Sequence, residues 1–440
     1  MPRFEPFAGV RYDPVRVELD DVIAPPYDVI GPDERARLQA RSPWNVVRID
    51  LSEPEGTRDR YDNACHHFHE WLDSGVLVAD EEPSFYVYRM GFHDERGRPR
   101  QTAGVIGALE LSTPGQGDVL PHERTMSKPK DDRLNLMRAC RANLSPVWGL
   151  SLAAGLSSLC ELPGPPVARG TDDDGVHHRL WRISQPGVVE AIASAVASSP
   201  VVIADGHHRY ETALAYRDEQ RAAGLGAGPH DLLMAYIVEL ADEQLTVRPI
   251  HRLVSGLPAR LDLVDALSPF FDPFEAGPVS GAASLPARMV DAGAMALIWR
   301  EQTWLLRPRP AGLETDGPGG RRNETDGPGG RRNETDGPGG RRNEPDGPEA
   351  LDSSRLATAL DALPDRHIDI DIDIDIDYQH DVDAVVAAVE KGDAQAGFLL
   401  RPPTVAQIAA AARARRRMPP KTTFFWPKPR TGMVFRRLSP

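Results

Sequence analysis

The sequence predicts a mixed α/β fold, and three observations carry that prediction. Short apolar segments with strand character alternate with stretches whose apolar residues recur at helical spacing. The apolar share of 40% and the charged share of 26% are typical of a globular protein that buries a core. No stretch reaches the roughly 20 uninterrupted apolar residues of a membrane helix. At 440 residues the chain is long enough for two or three domains.

The first segment, residues 1–150, is expected to be an α/β unit. Apolar runs that flank polar turns are predicted to be strands, and segments whose apolar residues recur at helical spacing are predicted to be helices. Its predicted strands cover 45–51, 84–93, 101–111 and 146–150, and its predicted helices cover 59–74 and 131–143.

A central segment, 151–308, is expected to alternate helices and strands. Its clearest element is an apolar strand over 201–204, followed by an Asp-Gly turn and a helix over about 208–223. Two further predicted strands cover 296–299 and 304–306. The strands over 147–150 and 201–204 are predicted to be neighbours in one sheet.

Residues 309–350 are predicted to be a linker, because 314–343 repeats the decapeptide ETDGPGGRRN three times. Each copy is electrically neutral and rich in Gly and Pro, a composition that buries no core and favours a disordered insertion. The C-terminal segment, 351–440, is expected to complete the fold with helices near 381–391 and 404–415 and a strand over 397–400. A strict Ile-Asp alternation over 368–377 is interpreted as a second expansion.

Charge and cysteine content narrow the class of protein. The tract 365–383 holds eight aspartates and accounts for about half of the formal net charge of -14. The remainder is mildly acidic, without the basic stripe of a nucleic-acid-binding protein, so no nucleic-acid partner is expected. Three unclustered cysteines fit neither a disulfide framework nor a zinc site, and no apolar leader opens the chain. We expect a cytoplasmic protein with no membrane partner.

The segment 204–211, with the sequence ADGHHRYE, is predicted to form the active centre. Gly206 permits a tight turn and a close approach of a ligand to the backbone. The helix that follows presents free N–H groups and a positive dipole end, where two histidines and Arg209 favour a phosphate or carboxylate. Asp205 is suited to cap the helix, or to bind a hydroxyl or a metal. The alternative is a capped structural helix with incidental histidines.

The same helix also allows a metal hypothesis. His207 and Glu211 lie four residues apart and His208 and Glu211 lie three apart, so either pair shares a helical face. A divalent metal ion bound by two such side chains would indicate a metal-dependent hydrolase. The spacing indicates no third ligand, and the pattern of zinc proteases is absent, so the identity of any metal stays open.

A second group of polar residues lies earlier in the chain. His122 and Glu123 are followed by Lys128 and Arg133, a pattern that suits a general base beside cations that hold an anionic substrate. An ordinary helix start is the alternative. Near the C-terminus, Lys421 stands on a proline-stiffened segment with flanking hydroxyls, where an ordinary closing strand is again the alternative.

Four segments, taken in order, resemble the prokaryotic family catalogued as domain of unknown function 1015. They are PPYDV at 25–29, LPHERT at 120–125, IADGHHRYETAL at 203–214 and MPPKTT at 418–423. Neither a Walker phosphate loop nor a dinucleotide-binding glycine motif is present. If the protein handles nucleotide phosphates, it therefore does so on another fold.

A more distant resemblance links PHE at 121–123 and DGHHR at 205–209 to the free serine kinases of the ParB/sulfiredoxin-like fold. It implies a ParB/sulfiredoxin-like core elaborated by additional α/β segments. It also implies that Glu123, beside His122, acts as base towards serine, and that Asp205, Gly206, His207, His208 and Arg209 hold nucleotide phosphate. Lys128 and Lys421 are expected to add positive charge there, with Lys421 within roughly 10 Å of Arg209, about one Debye length.

The resulting hypothesis is a phosphotransferase that acts on a small hydroxylated metabolite, with ADP or ATP as donor and Mg²⁺ as cofactor. Tyr27, Asp28 and Arg133 are expected to bind the substrate, and Glu123 is expected to face the 205–209 loop across a single pocket. Two alternatives stay open at this point. One is a nucleotide-binding regulatory protein without turnover, and the other is the metal-dependent hydrolase.

Overall fold

The computed structural model describes residues 1–94, 97–113, 115–121, 130–161, 164–279, 284–309, 348–363 and 374–438. Over these ranges the chain is a mixed α/β protein with several sheets. It forms two compact units, residues 1–248 together with 404–440, and residues 249–403. Within the described ranges no helix is both long and apolar enough to cross a membrane.

The strands of the described residues are β1 Phe4–Glu5, β2 Gly9–Tyr12, β3 Leu77–Ala79, β4 Phe85–His93, β5 Pro99–Glu110, β6 Val119–Pro121, β7 Ala142–Asn143, β8 Val147–Ser151, β9 Ala168–Thr171, β10 His177–Ile183, β11 Val201–Asp205, β12 Leu232–Glu239, β13 Thr246–Arg248, β14 His251–Ser255, β15 Phe271–Pro278, β16 Met295–Trp299, β17 Gln302–Pro308, β18 Asp375–Gln379, β19 Ala396–Leu399, β20 Phe424–Trp426 and β21 Phe435–Arg437.

The α-helices of the same ranges are α1 Leu19–Val22, α2 Pro32–Arg41, α3 Val47–Asp50, α4 Arg60–Asp73, α5 Lys130–Cys140, α6 Leu156–Leu159, α7 Pro186–Ala197, α8 His207–Ala222, α9 Leu263–Leu267, α10 Leu285–Ala292, α11 Asp352–Asp361, α12 Val382–Lys391 and α13 Val405–Arg413. Short 3₁₀ helices cover Tyr27–Val29, Pro229–Asp231 and Pro348–Ala350.

The first unit is built on a sheet whose described strands run in the order β6-β11-β8-β12-β5-β4-β10-β9, with β1 added beside β5. Its central strands β8, β11 and β12 are mostly apolar and buried, except for the last residues of β11 and β12, Asp205 and Glu239, which are partly exposed. The predicted neighbours β8 and β11 do pair, antiparallel, with Val202 opposite Leu150. On the other side of β11, β6 pairs parallel and sets Pro121 opposite Ile203. This register places Pro121 of the predicted LPHERT segment beside Ile203 of the predicted IADGHHRYETAL segment.

The second unit contains a six-stranded sheet in the order β15-β17-β16-β19-β14-β18, counted over the described residues. The predicted strands near 296–299, 304–306 and 397–400 and the helix near 381–391 are confirmed as β16, β17, β19 and α12. The end of the Ile-Asp alternation forms β18 at an edge of this sheet, where Asp375 and Asp377 are exposed. Residues 368–373 and the decapeptide repeats at 314–343 lie outside the described residues.

The strand predicted over 45–51 was wrong, because this segment forms the short helix α3. Asn45, which is fully buried, explains the difference. Its side chain accepts a hydrogen bond from the N–H of Val47 at 3.1 Å and donates to the carbonyl oxygen of Asp21 at 2.8 Å. Such side chain to backbone hydrogen bonds hold a helical turn that the β-branched composition does not predict.

Candidate functional site

The site is built where β11 ends and α8 begins. Four buried apolar residues of β11 lead to Asp205, and α8 starts at His207 with Gly206 as its N-cap. Gly206 has φ of 89°, a left-handed conformation that side chains with a Cβ rarely adopt. A Cβ there would also lie 2.9 Å from the guanidinium of Arg209. Glycine therefore allows the sharp turn that directs the first turn of α8 and the Asp205 carboxylate to the same place.

Asp205 joins two cations into what we call the Asp205 cluster, which consists of Asp205, Arg209 and Lys428. One carboxylate oxygen accepts from Arg209 Nη2 at 2.8 Å and the other accepts from Lys428 Nζ at 2.5 Å. All three side chains are less than one-fifth exposed. Burial alone would raise the pKa of Asp205, but the charges of Lys428 and Arg209 outweigh it and lower the pKa. The cluster thus fixes two cations beside the N-terminus of a helix.

Lys428 reaches the cluster because the closing segment 424–430 packs on the main sheet. Strand β20 pairs with β13, and the ring of Phe425 lies 5.6 Å from that of Trp148 on β8, centroid to centroid. Burial would lower the pKa of Lys428, but the carboxylates of Asp205 and Asp28 raise it above its ordinary value. The ammonium is therefore held in its charged form.

A buried polar network holds the same closing segment two residues further on. His178, fully buried on β10, contacts the hydroxyl of Tyr88 at 2.7 Å through Nδ1 and a carboxylate oxygen of Asp172 at 2.8 Å through Nε2. Arg430 donates from Nε to the same Asp172 oxygen at 2.6 Å. Burial would raise the pKa of Asp172, but the hydrogen bond from His178 and the charge of Arg430 lower it to about 2.

A cavity of about 40 Å³ adjoins the cluster through Arg209. Arg209 donates from Nη1 to Ser145 Oγ at 3.2 Å and to the carbonyl oxygen of Pro146, so its guanidinium connects the cluster to the cavity wall. The residues that line the cavity come from α3, α5, β7, α8 and β12, from the 3₁₀ helix Tyr27–Val29 and from the loop after β7: Tyr27, Asp50, Arg133, Leu136, Met137, Ala142, Asn143, Leu144, Ser145, Arg209, Thr212 and Leu233.

Of the three residues predicted to bind the substrate, Tyr27 and Arg133 line the cavity, and Asp28 acts electrostatically on the Asp205 cluster. The guanidinium of Arg133 lies over the ring of Tyr27, 4.3 Å from its centroid, and both line the cavity. Burial raises the pKa of Tyr27, while the positive charges of Arg209 and Arg133 oppose the rise. The effect of Asp28 on the pKa of Lys428 puts that carboxylate within electrostatic reach of the Asp205 cluster. Segments far apart in sequence therefore meet here.

The two histidines of the motif lie in the first turn of α8, where both are partly buried. The positive charge of His207 contributes to the lowered pKa of Asp205, after Lys428 and Arg209. Over the residues that the structure describes, no group of three His, Cys, Asp or Glu side chains is arranged to hold a metal ion. The pairing of either histidine with Glu211 as a metal site therefore stays a hypothesis.

Three predicted residues, His122, Glu123 and Lys128, lie outside the described residues. Lys421 is described and stands exposed, with φ of 56°. Its predicted place at the phosphate site stays a prediction. Lys428 is the cation of the closing segment that the structure puts on Asp205, and the sequence hypothesis had given it no role. Lys428 follows a proline, a feature that could have marked it as a site residue. Lys421 also follows a proline, so this feature does not distinguish the two lysines.

Several solved structures resemble the chain at low sequence identity. A conserved hypothetical protein from Pyrococcus furiosus is 14% identical, with a TM-score of 0.34 over 70% of this chain and 87% of that one. Free serine kinase in complex with AMP is 12% identical, with a TM-score of 0.34 over 70% and 83%. C-terminally truncated SbnI from Staphylococcus aureus is 8% identical, with a TM-score of 0.30 over 73% and 82%. No curated protein matches the sequence.

One family profile, described as a protein of unknown function and catalogued as DUF1015, matches residues 4–322. The match covers well over half of the chain. It includes Tyr27, Asp28, Arg133 and the segment 205–209, whereas Lys428 lies beyond it. The chain belongs to the DUF1015 family of proteins of unknown function.

Proposed function

We propose that the protein is a phosphotransferase that moves a phosphoryl group between a nucleotide, ADP or ATP, and a small hydroxylated metabolite such as serine. The fold under this proposal has a ParB/sulfiredoxin-like core with added α/β segments. The observation that carries the proposal is the Asp205 cluster, in which Lys428 and Arg209 are held beside the N-terminus of α8. Phosphoryl transfer requires positioning and charge neutralisation more than covalent chemistry, and this arrangement supplies both.

In the proposed complex the nucleotide phosphates bind at the start of α8. The first turn of a helix has backbone N–H groups without intrahelical partners and carries a partial positive charge. The guanidinium of Arg209 and the ammonium of Lys428 add two positive charges, of which the Asp205 carboxylate offsets one, and the remaining positive charge favours an anion there. Asp205 orients these two cations, and the histidines at 207 and 208 flank the same turn. Lys128 and Lys421 are proposed to add charge from their own segments.

Glu123, beside His122, is the proposed base. The support is the parallel pairing of β6 with β11, which sets Pro121, two residues before Glu123 in the sequence, opposite Ile203, two residues before Asp205. A base must come within hydrogen-bond reach of the hydroxyl it deprotonates. Glu123 is proposed to meet this requirement in the pocket that the 205–209 loop also faces.

The acceptor is proposed to bind beside Tyr27, Asp28 and Arg133. Arg133 is a suitable anchor for a polar ligand because its guanidinium is fixed by three contacts. It donates to Asp50 at 2.9 Å and to Asp132 at 2.8 Å, and it lies over the ring of Tyr27. A guanidinium held in this way loses little conformational entropy when a ligand binds.

Mg²⁺ does not fit the Asp205 cluster as it stands. Mg²⁺ requires free carboxylate oxygens or phosphate oxygens in octahedral geometry. Both oxygens of Asp205 already accept from Lys428 and Arg209. Any Mg²⁺ that accompanies the nucleotide is therefore proposed to use phosphate oxygens, and no step of the proposed reaction depends on Asp205 as a metal ligand.

Nucleotide binding by wild type and by two arginine variants tests the proposal. ADP and ATP should raise the melting temperature of the wild type, since a ligand at 100 times its Kd stabilises by about 2.7 kcal/mol. Arg209→Ala should abolish that rise. Arg221→Ala is the matched control, because Arg221 also pairs with an aspartate, Asp231 at 2.6 Å, but stands about 18 Å further along α8.

Equal loss of the nucleotide response in both variants, or no response in the wild type, would contradict the proposal. Binding without transfer would favour the nucleotide-binding regulatory protein. Hydrolytic activity that depends on a metal and on Glu211 would favour the hydrolase instead.

A further inference from the structure

A second and larger cavity, which we call the α4–α5 cavity, has a volume of about 420 Å³. It is lined by residues of α4, of α5 and the residue after it, and of β21, all within the first unit of the chain. Its volume is within the range of roughly 300–1,000 Å³ that is typical of small-molecule sites. No residue that lines it also lines the smaller cavity beside Arg209, so it is a separate candidate site.

The charged side chains that line the α4–α5 cavity are all basic. Three of them are Arg138, Arg141 and Arg437, and His69 lines it as well. All four residues are exposed, so a solute that enters the cavity can contact them. Among the described residues that line it, none is an aspartate or a glutamate. The cavity therefore favours an anion.

Two of the three guanidinium groups are available to a ligand. Arg138 is already committed, because its nitrogens donate to both carboxylate oxygens of Glu219 and to the side-chain oxygen of Asn135. Arg141 and Arg437 make no ion pair and no side-chain hydrogen bond with the part of the chain that the structure describes. Their N–H donors are therefore open to an anion in the cavity.

The fold brings Arg141 and Arg437 together from distant parts of the sequence. Strand β21 pairs with β7 and sets Arg437 opposite Ala142, the residue after Arg141. The next N–H of β21, that of Leu438, donates to the carbonyl oxygen of Arg141 at 2.7 Å. The two arginines therefore leave adjacent segments of backbone at the wall of one cavity.

The backbone at Arg141 suits a glycine better than an arginine. This residue follows the end of α5 and has φ of 46°, and its N–H donates to the carbonyl oxygen of Met137 at 2.9 Å. Helices commonly end on a residue in this left-handed conformation, which is usually glycine. A strained backbone that is kept for the sake of a side chain is typical of functional sites. The negative end of the helix dipole also attracts cations, but it does not account for Arg437, which belongs to β21.

The number of charges and donors indicates a phosphate. A single guanidinium satisfies a carboxylate through two parallel hydrogen bonds. Two guanidinium groups match a phosphate monoester, which has three acceptor oxygens and a charge of about -1.5 to -2. The end of α5 contributes only about half a negative charge, and Phe68 and Leu72 add an apolar wall for the rest of a small organic ligand. Asp62, which adds to the effect of burial in raising the pKa of Cys65, does not line the cavity.

We propose that the α4–α5 cavity binds a small phosphate monoester, with its phosphate group held by Arg141 and Arg437. The inference goes beyond the proposed function and does not rest on it, because neither arginine belongs to the Asp205 cluster.

Three probes that share a three-carbon skeleton and differ in charge test the inference: glycerol 3-phosphate, glycerate and glycerol. Titration calorimetry gives the affinity of each, and the rate at which iodoacetamide alkylates Cys65 reports on the cavity. Cys65 lines it and is partly exposed, whereas Cys140 and Cys160 are buried. Glycerol 3-phosphate should bind and slow the alkylation of Cys65. Glycerate should bind at least about tenfold more weakly, as for the loss of a hydrogen bond to a charged group, and glycerol should have no effect.

Variants identify the residues responsible. Arg437→Met and Arg141→Gly should each weaken the binding of glycerol 3-phosphate at least about tenfold. Because glycine suits the left-handed backbone at position 141, loss of binding in that variant is not the result of a damaged fold. Arg179→Met is the matched control and should bind as wild type does. Arg179 is also exposed, but it stands on β10 and does not line the cavity.

Arg209→Ala separates this cavity from the site proposed for the nucleotide. It should lose nucleotide binding and keep the protection of Cys65 by glycerol 3-phosphate. The inference is overturned if glycerol 3-phosphate leaves the alkylation of Cys65 unchanged or if glycerate binds equally well. It is also overturned if folded Arg437→Met and Arg141→Gly bind glycerol 3-phosphate as tightly as Arg179→Met does.

Discussion

Replacement of Lys428 by methionine removes the ammonium from the Asp205 cluster while it keeps most of the side-chain volume. Lys428 and Asp205 are 16% and 19% exposed, and the 2.5 Å contact joins two full charges. A hydrogen bond to a charged group contributes about 1.5–3 kcal/mol, and loss of one partner of a buried pair costs about 3–5 kcal/mol. Since Asp205 keeps its bond from Arg209, we expect Lys428→Met to lower the free energy of unfolding by about 2 kcal/mol at pH 7.

The pH dependence of this loss identifies its source. The lowered pKa of Asp205 gives a stabilisation that is present above the unfolded pKa of 3.8 and is lost as the pH falls through the folded pKa. Without Lys428 the folded pKa of Asp205 rises. The stability difference between wild type and variant should therefore be complete above pH 5 or so and should shrink as the pH falls below about 4.

The assay is urea unfolding followed by tryptophan fluorescence, at pH 7 and at steps down to pH 3. Five of the seven tryptophans belong to the unit that contains Lys428, so most of the change in emission reports on the unfolding of that unit. Lys391→Met is the control, because Lys391 is an exposed lysine at the end of α12, and its loss should matter by less than about 0.5 kcal/mol. A Lys428→Met variant as stable as wild type, or a difference independent of pH, would refute the reasoning.

Two further predictions concern stability and the repeats. The pKa of Asp172 falls from 3.8 to about 2 on folding, so this group contributes about 2 kcal/mol at neutral pH that is lost as the pH falls from about 4 to 2. Asp172→Asn should be destabilised at pH 7 and should approach the wild type near pH 2 in urea unfolding. Deletion of residues 314–343 should change the free energy of unfolding by only about 1 kcal/mol, through loop closure, and should keep nucleotide binding. An unfolded or non-binding deletion protein would show that the repeats are part of the folded core.

Much of the fold follows from local patterns in the sequence. The helix α4 has its apolar residues on one face and is capped by Asp59, whose side chain accepts from two backbone N–H groups, and the predicted helix over 59–74 is confirmed. The pairing of β8 with β11 was predicted from two apolar runs. The helix predicted over 131–143 ends earlier, at Cys140, because Arg141 adopts the left-handed conformation with φ of 46°. Hydrophobic periodicity does not report such a backbone change.

The site was predictable only where its residues are adjacent in sequence. The turn at Asp205 and Gly206 was visible because strand, turn and helix follow one another. Lys428 was not, because its role depends on the packing of Phe425 against Trp148, 277 residues away in the chain. Asp50 was hidden for a different reason. The sequence predicts a strand for its segment, and its contact with Arg133 is made only in the folded protein.

The central claim is that Glu123 and the 205–209 loop act on one pocket. Its most direct test is phosphoserine formation, followed by ³¹P NMR with L-serine and either ADP or ATP. The controls are nucleotide binding by each variant and the exposed-site variant Glu190→Gln. Glu123→Gln should bind nucleotide as wild type does and form no phosphoserine, whereas Arg209→Ala should lose nucleotide binding itself. Phosphoserine formation by Glu123→Gln at the wild-type rate, or none by the wild type with either nucleotide, would contradict the account.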